Sequence, residues 1–332
     1  MSRYKIVISD YYYPDQKIEN KVYQALGDDV EIVDCTKLKA GGFQTPEELM
    51  PYVRDCDALI IQFAHITKEL IDSMEKCRVI SKYSIGVDTV DVQAATEKGI
   101  WVSNVPDYCI DEAADTAVAH ILNAARKLSR AQELTAKGQF SMTALRPVLR
   151  LSESTILLIG FGRIARNAAL KLKPFFRRIL AADPYFTAQE DWPFVEFTTL
   201  EEALPQADVV SLFAPLTSET FHMLSEAAFE KMKDGVLLTN TARGALIDEQ
   251  ALVRALDSGK VAFAGLDLIE GSEDFEHSPL LLREDVCLTP HIAWLSESAQ
   301  AELQRKTAEN AVSALLTGKP VYHVNEIGED HV

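Results

Sequence analysis

The sequence predicts an α/β protein made of two doubly wound parallel-sheet domains, and three observations lead there. Strand-like runs alternate with helix-like segments across short connections, as in a parallel sheet covered on both faces. At 332 residues the chain is long enough to bury two cores. One stretch, Thr155-Ile-Leu-Leu-Ile-Gly160-Phe-Gly162-Arg163-Ile164-Ala165-Arg166, runs from aliphatic residues through a glycine turn into a helix-compatible segment. About twenty residues beyond that turn a second apolar run, Ile179-Leu-Ala-Ala, ends at Asp183, which outlines a dinucleotide site.

In order, Tyr4 to Ser9 reads as a strand and Asp15 to Leu26 as a helix closed by Gly27. Val30 to Val33 is a strand, and Pro46 to Arg54 a helix with proline in its first turn, where a missing N–H is harmless. Ala58 to Ile61 is a strand, followed by a helix capped by Thr67, a strand from Arg78 to Ser81 and a helix from Val90 to Lys98 stopped by Gly99. Ile100 to Ser103 is a strand, and Asn104-Val-Pro106 marks a crossing between domains. Asp111 to Arg130 reads as one long Ala-rich helix, with Ala114, Ala117, Val118, Ile121, Leu122 and Ala125 at helical spacing. After the glycine turn, strands are expected at Ala207–Leu212, Val236–Asn240, Val261–Leu266 and Val286–Thr289, with helices at Ser225–Met232, Glu249–Ser258 and Ser296–Leu316.

Apolar residues at 47% and charged residues at 25% describe an ordinary globular composition. The net charge of −17 argues against nucleic acid or an anionic membrane as the main partner. Five scattered cysteines, Cys35, Cys56, Cys77, Cys109 and Cys287, form no Cys-x-x-Cys and point to reduced thiols in a cytoplasmic protein. The amino terminus lacks the apolar core of a signal peptide, and no apolar run approaches membrane-spanning length. The acids and histidines show no ligand spacing, so no metal is expected.

Within the glycine turn, Gly160 permits the bend and Gly162 lets a pyrophosphate approach the backbone. The N–H groups of Arg163 and Ile164 open a helix whose dipole favours an anion. Asp183 can accept from both ribose hydroxyls and repels a 2′-phosphate, and no arginine or lysine follows it in Pro184-Tyr-Phe-Thr. The expected cofactor is therefore NAD rather than NADP.

Further motifs follow in a fixed order: Gly86-Val-Asp88 with Val90-Asp91, Asn104-Val-Pro106, Gly160-Phe-Gly162-Arg163-Ile164, Asp183-Pro184, Ala214-Pro-Leu-Thr217, Asn240-Thr-Ala-Arg243-Gly244, Gly265-Leu-Asp267 and Thr289-Pro-His291. Together they resemble the D-isomer-specific 2-hydroxyacid dehydrogenase family. Asp183-Pro-Tyr and His291-Ile-Ala-Trp294 with Ser296-Glu297 are most similar to its C-terminal-binding-protein-like branch and related bacterial dehydrogenases. The resemblance implies a Rossmann NAD domain, residues 104–296, inserted in a flavodoxin-like substrate domain of residues 1–103 and 297–332. It also implies a homodimer embraced through the Ala-rich helix, and hydride transfer between NAD and a small 2-hydroxy acid.

That reaction needs a grip on the carboxylate, a polarised carbonyl oxygen and a proton exchanged at that oxygen. Arg243 suits the first two needs, because guanidinium is a planar fork and Thr-Ala-Arg-Gly matches the family's substrate arginine. His291 suits the third, because it can donate in reduction and accept in oxidation near neutrality. The resemblance further gives Thr241 and Ala242 the nicotinamide ribose and Asp267 the nicotinamide or its carboxamide. It gives the N–H groups around Ile85 and Gly86 the substrate carboxylate, although Ser84 stands where the family carries glycine. Thr217 and Thr220 shape the adenine-side loop. Lys82 is a substrate contact or a solvated strand residue. Trp294 walls the pocket or anchors the last helix, and the remaining histidines, His65 and His120 among them, read as structural.

One departure stands out. The family places a glutamate five residues after the position of Asp267, to bond the catalytic histidine, and Ser272 stands there. A serine can orient imidazole but cannot stabilise imidazolium by charge. Glu273 is the favoured replacement, with Glu270 and Ser272 itself as alternatives. The missing glutamate also sustains a second reading, an NAD-sensing interaction protein with little turnover. The retained Arg243 and His291 favour an enzyme.

Overall fold

The computed structural model describes residues 3–328, apart from the side chains of Gln189, Ser272, Glu273 and Asp274. It divides into two units, Met1–Tyr108 with Ser296–Val332 and Cys109–Leu295.

The first unit runs β1 (Tyr4–Ile8), α1 (Lys17–Tyr23), β2 (Val30–Asp34), α2 (Pro46–Val53), β3 (Ala58–Ile61), α3 (Lys68–Ser73), β4 (Val79–Lys82), α4 (Val92–Glu97) and β5 (Trp101–Ser103). Its five strands are parallel in the order β2-β1-β3-β4-β5, the flavodoxin-like order, with the switch point between β1 and β3. Every residue of β3, β4 and β5 is buried, as expected of strands covered on both faces.

The second unit runs α5 (Ile110–Arg126), α6 (Leu128–Ala136), β6 (Thr155–Ile159), α7 (Arg163–Leu172), β7 (Arg178–Ala182), β8 (Val195–Phe197), α8 (Leu200–Ala203), β9 (Val209–Leu212), α9 (Glu226–Lys231), β10 (Val236–Asn240), α10 (Glu249–Asp257), β11 (Val261–Leu266) and β12 (Val286–Leu288). Seven parallel strands lie in the order β12-β11-β10-β9-β6-β7-β8, the Rossmann arrangement, with its switch point between β6 and β9. One apolar core packs around α9 and α10, and another packs α5 and α7 against β6.

The chain then returns to the first unit as α11 (Glu297–Thr317). This helix buries polar side chains that serve other segments. Asn310 Nδ2 donates to Asn104 O at 2.9 Å, and Asn310 Oδ1 accepts from Tyr322 N at 2.9 Å. Lys306 Nζ and Tyr322 Oη reach Asp107 at 2.7 and 2.9 Å. These bonds hold residues 104–107 within the first unit, so the changeover expected at 104 falls after Tyr108.

The single helix expected over 111–130 is two helices. Lys127 takes left-handed backbone at φ 55° and ends α5. Asn123 then caps the next turn, accepting from Ser129 N at 2.9 Å, while Lys127 Nζ donates to Ala262 O at 3.2 Å. A single apolar spacing cannot register a cap made by a side chain of the preceding helix. Strand β8, three residues long, was below the reach of the same periodicity argument.

Candidate active site

In a parallel sheet, side chains following the carboxyl ends of the strands collect along one edge. In the second unit that edge carries Gly160 after β6, Asp183 after β7, Thr241 to Arg243 after β10, Asp267 after β11 and His291 after β12.

Gly160 has φ 86°, and a Cβ there would sit 2.8 Å from Ala214 N and 2.9 Å from Ala214 Cα. Both its conformation and its neighbour therefore demand glycine. Phe161 anchors the turn from below. It is fully buried, with Phe186, Trp192 and Phe197 edge-on at 5.0, 5.2 and 5.1 Å. Gly162 caps α7 without a side-chain bond, and a Cβ on it would meet open space. The first N–H groups of this ten-residue helix thus have no side-chain cap. Asp183 accepts from Phe161 N at 2.7 Å and from Tyr185 N at 2.9 Å, which fixes a carboxylate beside the turn. A helix start without a side-chain cap, a glycine with open space above it and a fixed acid fit a dinucleotide. The Thr217–Thr220 loop is held by its own bonds, Thr217 N to Thr220 Oγ1 at 2.8 Å and Thr220 Oγ1 to Pro215 O at 2.6 Å.

Asn240, fully buried, braces the arginine loop by accepting from Ala242 N at 3.0 Å and donating to Arg243 O at 2.8 Å. Gly244 packs so tightly that a Cβ would lie 2.1 Å from the Ile269 carbonyl. Arg243 is half-buried, and one guanidinium nitrogen donates to Ala242 O at 2.8 Å.

Asp267 is 1% exposed and organises the loop that bears His291. Its carboxylate accepts from Thr289 Oγ1 at 2.6 Å, Ile292 N at 2.9 Å and Ala293 N at 2.8 Å, and its carbonyl accepts from His291 N at 2.9 Å. His291 itself has left-handed backbone, φ 53°, a conformation that costs a residue with a Cβ about 1–2 kcal/mol. Its side chain is open to solvent at the sheet edge, yet the neighbouring protein atoms first and the Arg243 charge second hold the imidazole below the ordinary histidine range, with Asp267 pulling the other way.

The side chain of Glu273 lies outside the described residues. Glu270 is committed elsewhere, with its Oε1 2.7 Å from His222 Nε2. Trp294 is half-buried in the loop after His291.

In the first unit, Lys82 is 5% exposed at the end of β4. Its Nζ donates to Gln62 O at 2.9 Å and Thr89 Oγ1 at 2.6 Å, so it is not the solvated strand residue that one reading made it. The loop after it is braced by Asn104 Nδ2 on Ile85 O at 2.6 Å and by Val105 N on Ser84 O at 2.9 Å. The N–H groups of Ile85 and Gly86 meet no protein acceptor among the described residues.

Sequence reasoning missed the supporting residues Asn240, Thr289 and His120. Asn240 and Thr289 stood in visible motifs and His120 in none, and the bonds of all three were beyond a local pattern. A cavity of about 560 Å³ lies away from this edge. It is lined by Lys127, Leu145, Phe263, Leu282 and Asp285, at the amino ends of β11 and β12. Among the described residues no group of three or more acids, histidines and cysteines could hold a metal, and no helix is long and apolar enough to cross a membrane.

A family model described as D-isomer specific 2-hydroxyacid dehydrogenase, NAD binding domain, matches residues 118–293. A glyoxylate reductase of Korarchaeum cryptofilum is 36% identical over 269 residues, covering 79% of this chain and 80% of that protein. A hydroxypyruvate reductase of Thermotoga maritima is 36% identical over 272 residues, covering 81% and 87%. Among solved structures, the D-lactate dehydrogenase of Aquifex aeolicus complexed with NAD and lactic acid superposes with a TM-score of 0.81 at 28% identity, covering 96% of this chain and 98% of that one.

Proposed function

The chain belongs to the D-isomer-specific 2-hydroxyacid dehydrogenase family, and from that premise we propose that it works as a reductase of small 2-keto acids with NADH. The family carries a nicotinamide cofactor and oxidoreductase chemistry on 2-hydroxy acids. The observation supporting the finer reading is that Arg243, after β10, and His291, after β12, stand at the carboxyl edge of the same sheet as the glycine turn.

Gly160, Gly162 and the N–H groups of Arg163 and Ile164 take the pyrophosphate, and Asp183 takes the adenosine ribose hydroxyls, which favours NADH over NADPH. Thr241 and Ala242 flank the nicotinamide ribose. Three lone-pair sites of the Asp267 carboxylate are used within the loop, which leaves acceptor capacity for the carboxamide. When bound, the nicotinamide supplies a hydride to the carbonyl carbon or takes one from the carbinol carbon.

Arg243 grips the substrate carboxylate and polarises the carbonyl oxygen with one planar fork. By the family resemblance, Ile85 and Gly86 bind substrate through their N–H groups, Lys82 is a further substrate contact and Trp294 a wall of the pocket. In reduction the carbonyl π pair moves to oxygen and takes a proton from His291 Nε2 or Nδ1. In oxidation the imidazole accepts that proton back. Glyoxylate and hydroxypyruvate, the substrates named for relatives, are the first to assay.

The test is steady-state reduction of both keto acids with NADH and NADPH. His291→Asn should lower kcat by roughly 10²–10⁴-fold with NADH binding retained. Arg243→Ala should raise KM for the keto acid as well as lower kcat. No turnover by the wild type on a panel of 2-keto acids, with NADH bound, would sink the reading.

The homodimer is part of the same proposal. Phe140, Met142 and Leu282 are 97, 82 and 95% exposed, an apolar display suited to burial against a second copy. Light scattering of the eluted protein should return twice the 36.9 kDa chain mass. A monomer at micromolar concentration would overturn it.

A further inference from the structure

His120 lies on α5, well separated in sequence from the chemistry, and is 5% exposed. Its Nε2 is 3.0 Å from Thr289 Oγ1, which is in turn 2.6 Å from Asp267 Oδ1. An ionised carboxylate only accepts, so the Thr289 hydrogen points at Asp267. The other acceptor in range, Leu266 O at 3.5 Å, is too distant to compete. The hydroxyl therefore accepts from His120, and the imidazole is the Nε2–H tautomer. Burial holds this histidine below its ordinary range, so it is neutral at neutral pH.

Gly265 gives independent support. It is not among the glycines with positive φ, so its backbone does not require glycine. A Cβ there would lie 2.9 Å from His120 Nδ1 and 3.1 Å from His120 Cβ. The glycine is there to make room for the imidazole.

The geometry points to His120 as a positioning residue: through Thr289 and Asp267 it fixes the backbone of residues 290–293 and so the aim of the His291 imidazole. This rests on the reading of His291 as acid and base. The left-handed backbone of His291 is held by the Asp267 carbonyl, and the two residues after it by the Asp267 carboxylate. A loosened Asp267 lets that strain relax. Arg243 hangs instead from Asn240 on β10, so loss of His120 changes the proton step and leaves the carboxylate grip intact.

The experiment compares full-length wild type with His120→Leu, His120→Gln, Thr289→Val, Thr289→Ser, the double variant His120→Leu/Thr289→Val, and His291→Asn, in NADH-dependent glyoxylate reduction. His120→Leu and Thr289→Val should each lower kcat about tenfold with KM nearly unchanged. His120→Gln and Thr289→Ser, which keep a donor and a hydroxyl, should restore most of the rate. The double variant should be no worse than the weaker single one, because both cut one chain. Equal losses in His120→Leu and His120→Gln would mean packing alone and overturn the inference. Wild-type kcat in His120→Leu beside an inactive His291→Asn overturns it while the acid–base reading stands. An active His291→Asn overturns both. Should His120→Leu fail to fold, the Thr289→Val and Thr289→Ser pair carries the same comparison.

Discussion

Gly160 shows how much one residue can decide. Alanine there would hold left-handed backbone at a cost of about 1–2 kcal/mol. Its Cβ would also press on the Ala214 backbone at 2.8 Å, which can yield only by moving the loop after β9. Gly160→Ala should therefore weaken NADH binding by an order of magnitude or more, read by quenching of protein fluorescence, while the fold survives. A second residue-scale prediction concerns Glu273, the acid proposed to serve His291. Desolvation and Arg243 outweigh Asp267 and leave the His291 pKa lowered, and a further anion would raise it. Reduction consumes the protonated imidazole, so a lower pKa means that activity is lost at lower pH. In Glu273→Gln, kcat/KM for reduction should fall through a midpoint below the ordinary histidine value, and the wild-type midpoint should lie above it. Coincident profiles would show that Glu273 does not reach His291. The His222–Glu270 pair predicts little change for Glu270→Gln.

At the scale of elements, α11 matters through its polar face as much as its apolar one. Asn310 is fully buried and satisfies Asn104 O and Tyr322 N at once. Asn310→Leu would orphan two backbone groups at about 1–3 kcal/mol each, so chemical denaturation should show a loss of several kcal/mol. An unchanged midpoint would mean that water replaces both bonds. Asp248 caps α10 by accepting from Ala251 N at 2.9 Å, and Asp248→Ala should cost about 1 kcal/mol. The α5–α6 break is different, because its cap comes from Asn123 within the preceding helix.

At the scale of the molecule, the first unit is assembled from both ends of the chain. Trp101 Nε1 donates to Gly318 O at 2.7 Å, Val102 N to Asn325 Oδ1 at 2.8 Å and Ser81 Oγ to Thr307 O at 2.9 Å. Deleting residues 296–332 would remove these partners and uncover β4. The shortened chain should be cut rapidly by protease within residues 1–108 and slowly within 109–295. Uniform resistance would contradict the division into two units.

The sequence by itself determined the alternation of strands and helices, the glycine turn with Asp183, and the places of Arg243 and His291 just after two strands. Those features are local: a period of hydrophobicity, a turn that excludes side chains, a motif of adjacent residues. It left the role of Lys82 undecided, read His120 as structural with no partner named, and read residues 111–130 as one helix. Tertiary structure decided these because each depends on partners distant in the chain. Lys82 is buried by Gln62 and Thr89, His120 meets Thr289 across 169 positions, and Lys127 turns the chain where Ala262 can receive its ammonium. A hydrogen bond depends on where two groups end up in space, and no local pattern holds that information.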